Sequence, residues 1–474
     1  MKWASCFLAG AFAVAGLAVA CSSSSGNDQP PGADGGDAGD DQSVRPDTGG
    51  PDAGDDTYTG FDGPLPEGPP PGGTFCDLPG SIVFTAQGKM TVPGTDPTGQ
   101  EPDLSWVTLP AGFCLHYFGN APSVRQMRFA PGGDLFAASP GVGTVGGASQ
   151  GAGAILVLPD DNRDGWADGA LTYLGGLTQT AGLMFGNSSF YYQDGTSVMK
   201  LPFQQGDRTA PGAGTKLTQV TTQQAAEHWP KVMDIAQDGT IYVSNASTQS
   251  EQCMSTRPLY GAIFSVQSDG SLVPVTKGFR NPIAMRCESN HDVCLAAELV
   301  LDGSGSVAHE KLIPVRMGDD WGFPCCATTN KPYPGVTYQD TGTTPDCSGI
   351  ASEDSGFIVG DTPFGLDFEP GMWPAPWTGR VFVALHGTFG LWKGARVISV
   401  QLDPNTGLPV AGNDEDAGMS QGAVMADIAT GWDDGSKAHG RPAAVAFAPD
   451  GRLFVGNDFD SSVIWIAPVN LPRP

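Results

Sequence analysis

The chain predicts an all-β fold: a six-bladed β-propeller preceded by a signal peptide and a disordered linker. Three observations predict it. First, one design recurs in Phe129-Ala130-Pro131-Gly132-Gly133-Asp134-Leu135-Phe136, in Ile235-Ala236-Gln237-Asp238-Gly239-Thr240-Ile241-Tyr242-Val243 and in Phe447-Ala448-Pro449-Asp450-Gly451-Arg452-Leu453-Phe454-Val455. Each is an apolar strand end, a glycine turn and a strand of β-branched and aromatic residues, with Gly supplying the positive φ of a tight hairpin. Weaker copies occur at Ile263-Phe264-Ser265-Val266-Gln267-Ser268-Asp269-Gly270 and Arg380-Val381-Phe382-Val383-Ala384. Second, long helical periodicity is absent. Third, roughly 400 residues follow Cys76, which at about sixty residues per four-stranded blade suits six blades with long insertions. Radial repetition also protects strand edges from pairing with other chains. A pair of β-sandwiches is the structural alternative.

The N-terminus reads as an export signal. Lys2 is followed by an apolar run from Phe7 to Ala20 that ends in small residues before Cys21. That run is too short to span a bilayer. Residues 1–20 are therefore expected to be a lipoprotein signal peptide. Leu17-Ala18-Val19-Ala20-Cys21 resembles a bacterial lipobox, with Ala18 where Leu is usual. The resemblance implies acylation of Cys21, and Ser22 after it implies the outer membrane, with the protein periplasmic or on the cell surface. Simple cleavage at a nearby Ala is the alternative.

Residues 21–75 are Gly, Pro, Asp and Ser with almost no large apolar side chain. Such a segment cannot bury enough surface to offset the entropy of ordering. It is read as a tether, so the membrane is met only through the lipid. Its aspartates supply much of the net charge of -27, which makes nucleic acid an unsuitable partner. The propeller is expected over 76–474.

Beyond Cys6 and Cys21 the cysteines are Cys76, Cys114, Cys253, Cys287, Cys294, Cys325, Cys326 and Cys347. An even set in an exported chain predicts disulfides. Cys287 and Cys294 flank Asn290-His291-Asp292 and suit a hairpin closure. Adjacent Cys325 and Cys326 call for different partners, Cys347 among the candidates. No Cys-x-x-Cys spacing supports metal binding, and no Cys-x-x-Cys-His is present to hold a haem as an internal electron acceptor.

Two motifs are set aside. Gly141-Val142-Gly143-Thr144-Val145-Gly146 spells a dinucleotide fingerprint, but no phosphate-binding helix follows it. Gly147-Ala148-Ser149-Gln150-Gly151 spells a nucleophile elbow without its strand-to-helix context. Asp160, Asn162 and Asp164, followed by Gly165, reproduce the first half of a calcium loop, although Leu171 stands where a bidentate Glu is usual. A solvated turn is the alternative reading, and an ion there would stiffen a loop.

Six ordered segments carry a resemblance. They are Ser123-Val124-Arg125-Gln126-Met127-Arg128; His228-Trp229-Pro230-Lys231; Gly278-Phe279-Arg280-Asn281-Pro282; Gly318-Asp319-Asp320-Trp321-Gly322-Phe323-Pro324; Val383-Ala384-Leu385-His386-Gly387-Thr388; and Gly431-Trp432 leading to Gly440-Arg441-Pro442. In order and type they resemble the glucose/sorbosone dehydrogenase family, closest to its sorbosone and pyranose dehydrogenase branch. The resemblance implies a soluble quinoprotein propeller that binds pyrroloquinoline quinone and calcium on one face and oxidises a sugar or related alcohol or aldehyde.

It also implies roles. His228 matches the base that takes the hydroxyl proton, a task suited to a histidine near neutral pH, with Glu227 beside it. Arg125, Arg280 and Arg441 match cofactor contacts, and planar guanidinium groups suit the quinone's carboxylates. Asn281 stands where it can donate to a quinone oxygen, and His386 where relatives place a contacting Lys or His. Glu310, the Trp321 carbonyl and Asp302 are the calcium candidates. Lys311 occupies the matched ligand position if no gap is allowed, and a lysine there repels the ion. Lys231 replaces the Arg usual after the His-Trp pair. The expected partners are a small sugar substrate and an electron acceptor that the sequence does not name. A non-catalytic propeller binding carbohydrate or protein is the rival reading, and a calcium-dependent lactonase-like hydrolase the third.

Overall fold

The computed structural model describes residues 68–474, apart from 71, 141–152, 221–227, 248–250, 257–258, 260, 289, 302–307, 353–354, 389–392, 412–423, 434 and 436–438. The signal segment, Cys21, most of the linker, the glycine-rich 141–151 stretch, Glu227 and Asp302 lie outside the described residues.

Six antiparallel sheets are arranged as the blades of a propeller. Their inner strands are Gln126–Phe129, Leu183–Gly186, Met233–Ile235, Asn281–Glu288, Pro363–Phe368 and Pro442–Phe447, blades one to six in order. Each inner strand neighbours the next, and the sixth neighbours the first, so the ring closes. Closure is completed within blade six. There Phe113–Asn120 from the start of the chain pairs antiparallel with Ser462–Pro468 from its end, and Ile82–Thr85 and Gly88–Thr91 extend the same sheet. Phe75, just before Cys76, is buried and donates its N–H to the Leu471 carbonyl at 3.2 Å.

The three strong sequence repeats are the turns between inner and second strands of blades one, three and six. They form the same bond each time: Ala130, Ala236 and Ala448 donate to the carbonyls of Asp134, Thr240 and Arg452 at 2.9, 2.9 and 2.8 Å. The weaker copies fall elsewhere, one on the outer hairpin of blade three and one on the second strand of blade five. The ring has two ends, an upper face where the inner strands begin and a lower face carrying these repeated turns.

Four disulfides pin the loops. Cys287–Cys294 closes the inner hairpin of blade four, and Cys76–Cys114 ties the chain start to blade six. Cys253–Cys325 and Cys326–Cys347 give the adjacent cysteines different partners, with Cys347 taking one of them.

The centre of the ring is held by charge. Arg286 of blade four donates from Nε to Asp367 of blade five at 2.7 Å and pairs through Nη1 with Asp234 of blade three at 3.1 Å. The second oxygen of Asp367 accepts the Phe447 N–H of blade six at 2.8 Å. Burial opposes charge on Arg286, but Asp367 and Asp234 outweigh it and raise its pKa. Arg128 of blade one donates to the Met285 carbonyl at 3.2 Å, and burial lowers its pKa to about 10.

Asp234 and Asp367 are only 4% and 5% exposed, so removing Arg286 leaves two carboxylates buried without their cation. Arg286→Ala is therefore expected to lower the free energy of unfolding by about 3–5 kcal/mol. Arg208→Ala, which breaks pairs with the more exposed Asp134 and Asp161, is expected to cost less than about 1 kcal/mol. Denaturant titration of both variants checks the contrast.

Candidate active site

The upper face collects most of the described residues that the resemblance singled out; apart from Trp321, which lies in the loop after Glu310–Pro314, each ends a second strand, opens a third, or sits just before an inner strand. Arg125, Arg280 and Arg441 immediately precede the inner strands of blades one, four and six. His386 follows the second strand of blade five, and Asp458 holds the equivalent place in blade six.

Asp458 is the hub of one cluster. Its carboxylate accepts from Arg441 Nε at 2.8 Å and Nη2 at 3.0 Å, from Arg125 Nη1, and from His386 Nε2 at 3.0 Å. Burial alone would raise its pKa, but His386, Arg125 and Arg441 reverse this and hold it well below the usual carboxylate range. Burial pushes His386 down to about 4 against the pull of Asp458, with Arg441 and Arg125 adding to the fall. Near neutral pH the ring is therefore uncharged and donates its Nε2–H to Asp458. The Phe364 ring stacks on His386 at 4.1 Å and lies 5.7 Å from the Arg125 guanidinium. Two guanidinium groups thus share one carboxylate.

The second cluster joins blades two, three and four. His228 is buried, and its Nδ1 lies 2.7 Å from the Ser247 carbonyl. A carbonyl only accepts, so Nδ1 carries the proton in that contact. Ser247 donates its N–H to the Arg280 carbonyl at 2.7 Å and its hydroxyl to Phe279 at 2.6 Å. Lys231 is fully buried, donates to the Trp229 carbonyl at 3.3 Å, and meets no carboxylate among the described residues. Burial lowers its pKa to about 8. Gln193 of blade two accepts the Lys231 N–H at 3.0 Å and donates to Trp229 at 2.9 Å.

Arg280 donates from Nη1 to Val300 at 2.8 Å, and its N–H goes to Glu298 at 2.8 Å. The Asn281 side chain is buried, and its oxygen has no hydrogen-bond partner among the described residues. Gly278, with φ +80°, lets the chain pass the Trp321 loop, since a Cβ there would sit 2.3 Å from Asp320.

One expectation needs correction. Glu310 and the Trp321 carbonyl are not brought together: Glu310 accepts the Gly360 N–H at 3.0 Å, whereas Lys311, its neighbour on the strand, reaches Trp321 at 3.0 Å. Successive strand residues point to opposite faces, so one residue of register decides which side chain meets that carbonyl. Asp160, Asn162 and Asp164 lie on the lower face, away from this chemistry. Asp164 accepts from Asn162 at 2.8 Å and from the Trp166 N–H at 2.9 Å, and burial raises Asp160 to about 7. Asp160 lines a cavity of about 370 Å³ with Phe75, Asp134, Arg208 and Arg452. Among the described residues no three acidic, histidine or cysteine side chains are gathered as a metal site.

Sequence reasoning missed Asp458 and Glu298. The available signal for Asp458 was positional, since Asn457-Asp458 ends its strand as Leu385-His386 ends its own.

No protein family profile matches the chain, and no curated protein does. Solved structures do. The holo form of the pyranose dehydrogenase PQQ domain from Coprinopsis cinerea is similar with a TM-score of 0.58 at 16% identity, over 77% of this chain and 98% of that one. The calcium structure of Trichoderma reesei Carbohydrate-Active Enzymes Family AA12 gives 0.59 at 15% identity, over 76% and 97%. The fold is the one these structures share. A glucose dehydrogenase structure agrees, with a TM-score of 0.52 at 13% identity over 74% and 98%. At these identities the likeness establishes the propeller, and chemistry lives in the individual residues of the site.

The buried histidines set an acid limb. His386 and His116 are each lowered to about 4 from an ordinary 6.5, by burial in both cases. The unfolded chain therefore binds more protons between these values, and stability falls as pH drops from 6.5 towards 4. Thermal unfolding across that window is expected to show the fall, and His386→Gln is expected to flatten it.

Proposed function

We propose that the chain is a quinone-dependent oxidoreductase that oxidises a sugar or related alcohol or aldehyde with hydride transfer to pyrroloquinoline quinone. The observation that carries this reading is the buried Lys231 ammonium, which meets no carboxylate among the described residues and lies three residues from His228 on the face that also holds two guanidinium groups around one carboxylate. Surplus positive charge gathered on one end of an acidic protein suits a planar polycarboxylate.

Arg125, Arg441 and Lys231 would hold the quinone's carboxylates, with Asn281 and Arg280 at its oxygens. When bound, the quinone supplies a two-electron acceptor for the substrate's C–H hydride. His228, its tautomer set by Ser247, takes the substrate O–H proton at Nε2. His386 stays neutral and orients Asp458, which in turn fixes both guanidinium planes.

A non-catalytic binding propeller is favoured by one observation, that Arg125, Arg441 and Asp458 satisfy one another while nearly buried.

Calorimetric titration with the quinone separates the two, followed by dye reduction with a panel of aldoses. Micromolar binding is expected, weakening as pH rises above about 8 because Lys231 loses its charge. Absence of quinone binding sinks the enzyme reading. His228→Ala is expected to lower kcat by about 10²–10⁴ while leaving quinone affinity in place.

We also propose that the chain is exported and acylated at Cys21, on the apolar run and small residues before it. Mass spectrometry of the mature N-terminus is expected to find a lipid-modified Cys21; an unmodified terminus at a neighbouring residue would overturn this.

A further inference from the structure

Lys311 is a buried lysine with an unusual position. It lies on the third strand of blade four, directly across from Glu298 on the second strand. Its ammonium donates to the Trp321 carbonyl at 3.0 Å and stands 3.7 Å from Glu298 Oε2. The two side chains are 0% and 1% exposed, so the charge has been taken wholly out of water. The Trp321 carbonyl and the Glu298 carboxylate stand in for part of the hydration it has lost.

The pair does more than satisfy itself. Glu298 uses its other oxygen to accept the Arg280 N–H at 2.8 Å, at the entry to the inner strand. Arg280 is held at its far end by Val300 and at its carbonyl by Ser247, whose own carbonyl contacts His228. Trp321, in turn, is clamped to blade three by its N–H on Lys277 at 2.9 Å and its indole on Thr276 at 3.0 Å. One positive centre thus ties a loop carbonyl to a strand carboxylate and, through it, sets Arg280.

A divalent cation bound by a carbonyl and a carboxylate would do the same work. The carbonyl expected to ligate calcium is the one Lys311 occupies, while Glu310 is turned away to Gly360. We infer that in this chain the Lys311 ammonium takes the place of a calcium ion beside Trp321, so that ligand binding on the upper face is independent of calcium and Lys311 is a positioning residue for Arg280. The inference rests on the quinone reading for the identity of the ligand, but the claim about the ion does not.

Two measurements on the full chain test it. In calorimetry with pyrroloquinoline quinone, the wild-type dissociation constant is expected to agree within about twofold between chelator-treated and calcium-replete buffer, with Lys311→Met weakening binding at least tenfold in chelator. Calcium-dependent wild-type binding, or unchanged affinity in Lys311→Met, would overturn the inference. Quinone binding in neither buffer defeats the functional reading instead and leaves the ion claim to the second measurement.

That second measurement is thermal unfolding of Lys311→Ala. Loss of the buried ammonium is expected to lower Tm by at least about 5 °C in chelator. Millimolar calcium is expected to restore the variant by more than it shifts the wild type, because Glu298 and the Trp321 carbonyl are then open to the ion. Equal shifts in the two proteins would show that no cation place had been vacated, and the inference falls.

Discussion

The ring of six inner strands depends on one charge, Arg286, held between Asp234 and Asp367. These three residues come from blades three, four and five, and Asp367 extends the link to the backbone of blade six. Inner strands of a propeller converge, and their side chains must fill a narrow axis without leaving polar groups unpaired. A guanidinium suits that position because its planar donors reach two carboxylates at once. Both acids also accept backbone N–H groups, Asp234 from Ile235 and Cys287 and Asp367 from Phe368 and Phe447. The network therefore fixes the angular register of adjacent blades as well as their charge balance.

That register is what makes the upper face a site. Asp458, His386, Arg125 and Arg441 come from three blades and meet only if the ring is closed at the right pitch. The pairing of Phe113–Asn120 with Ser462–Pro468 closes it through backbone hydrogen bonds, since both segments must be in place for blade six to be complete. Strand pairing closes the ring at its rim and the axial ions fix it at the centre, and between them they bring three bases to one carboxylate.

The turns were legible in the sequence for a local reason. A Gly at positive φ between apolar strands needs no distant partner, so Gly133, Gly239 and Gly451 announce their hairpins within a few residues. The arginines before the inner strands were legible only through the six segments that carry the family resemblance. Asp234, Arg286 and Asp367 were not, because each is a charge set within a largely apolar strand and the two acids lie 52 and 81 residues from the arginine. Asp458 was hidden likewise. Its meaning comes from His386 and Arg125, 72 and 333 residues distant, which no window along the chain can join. The strands at the start of the chain that complete blade six carried no repeat to mark them.

Glu310 and Lys311 show the sharper limit. The sequence places an acid and a base side by side near a carbonyl, and type alone favours the acid as the partner of a cation. Strand alternation reverses the choice, because the pairing of Glu298 with Lys311 turns Lys311 towards Trp321 and Glu310 towards Gly360. Once the ammonium lies in that position, Glu298 is already neutralised and the carbonyl already has its donor. A calcium ion entering there would have to displace a cation tethered to the same chain and leave that ammonium buried without its oxygens. Positive charge at this point of the face is thus part of the folded chain, present before any ligand arrives.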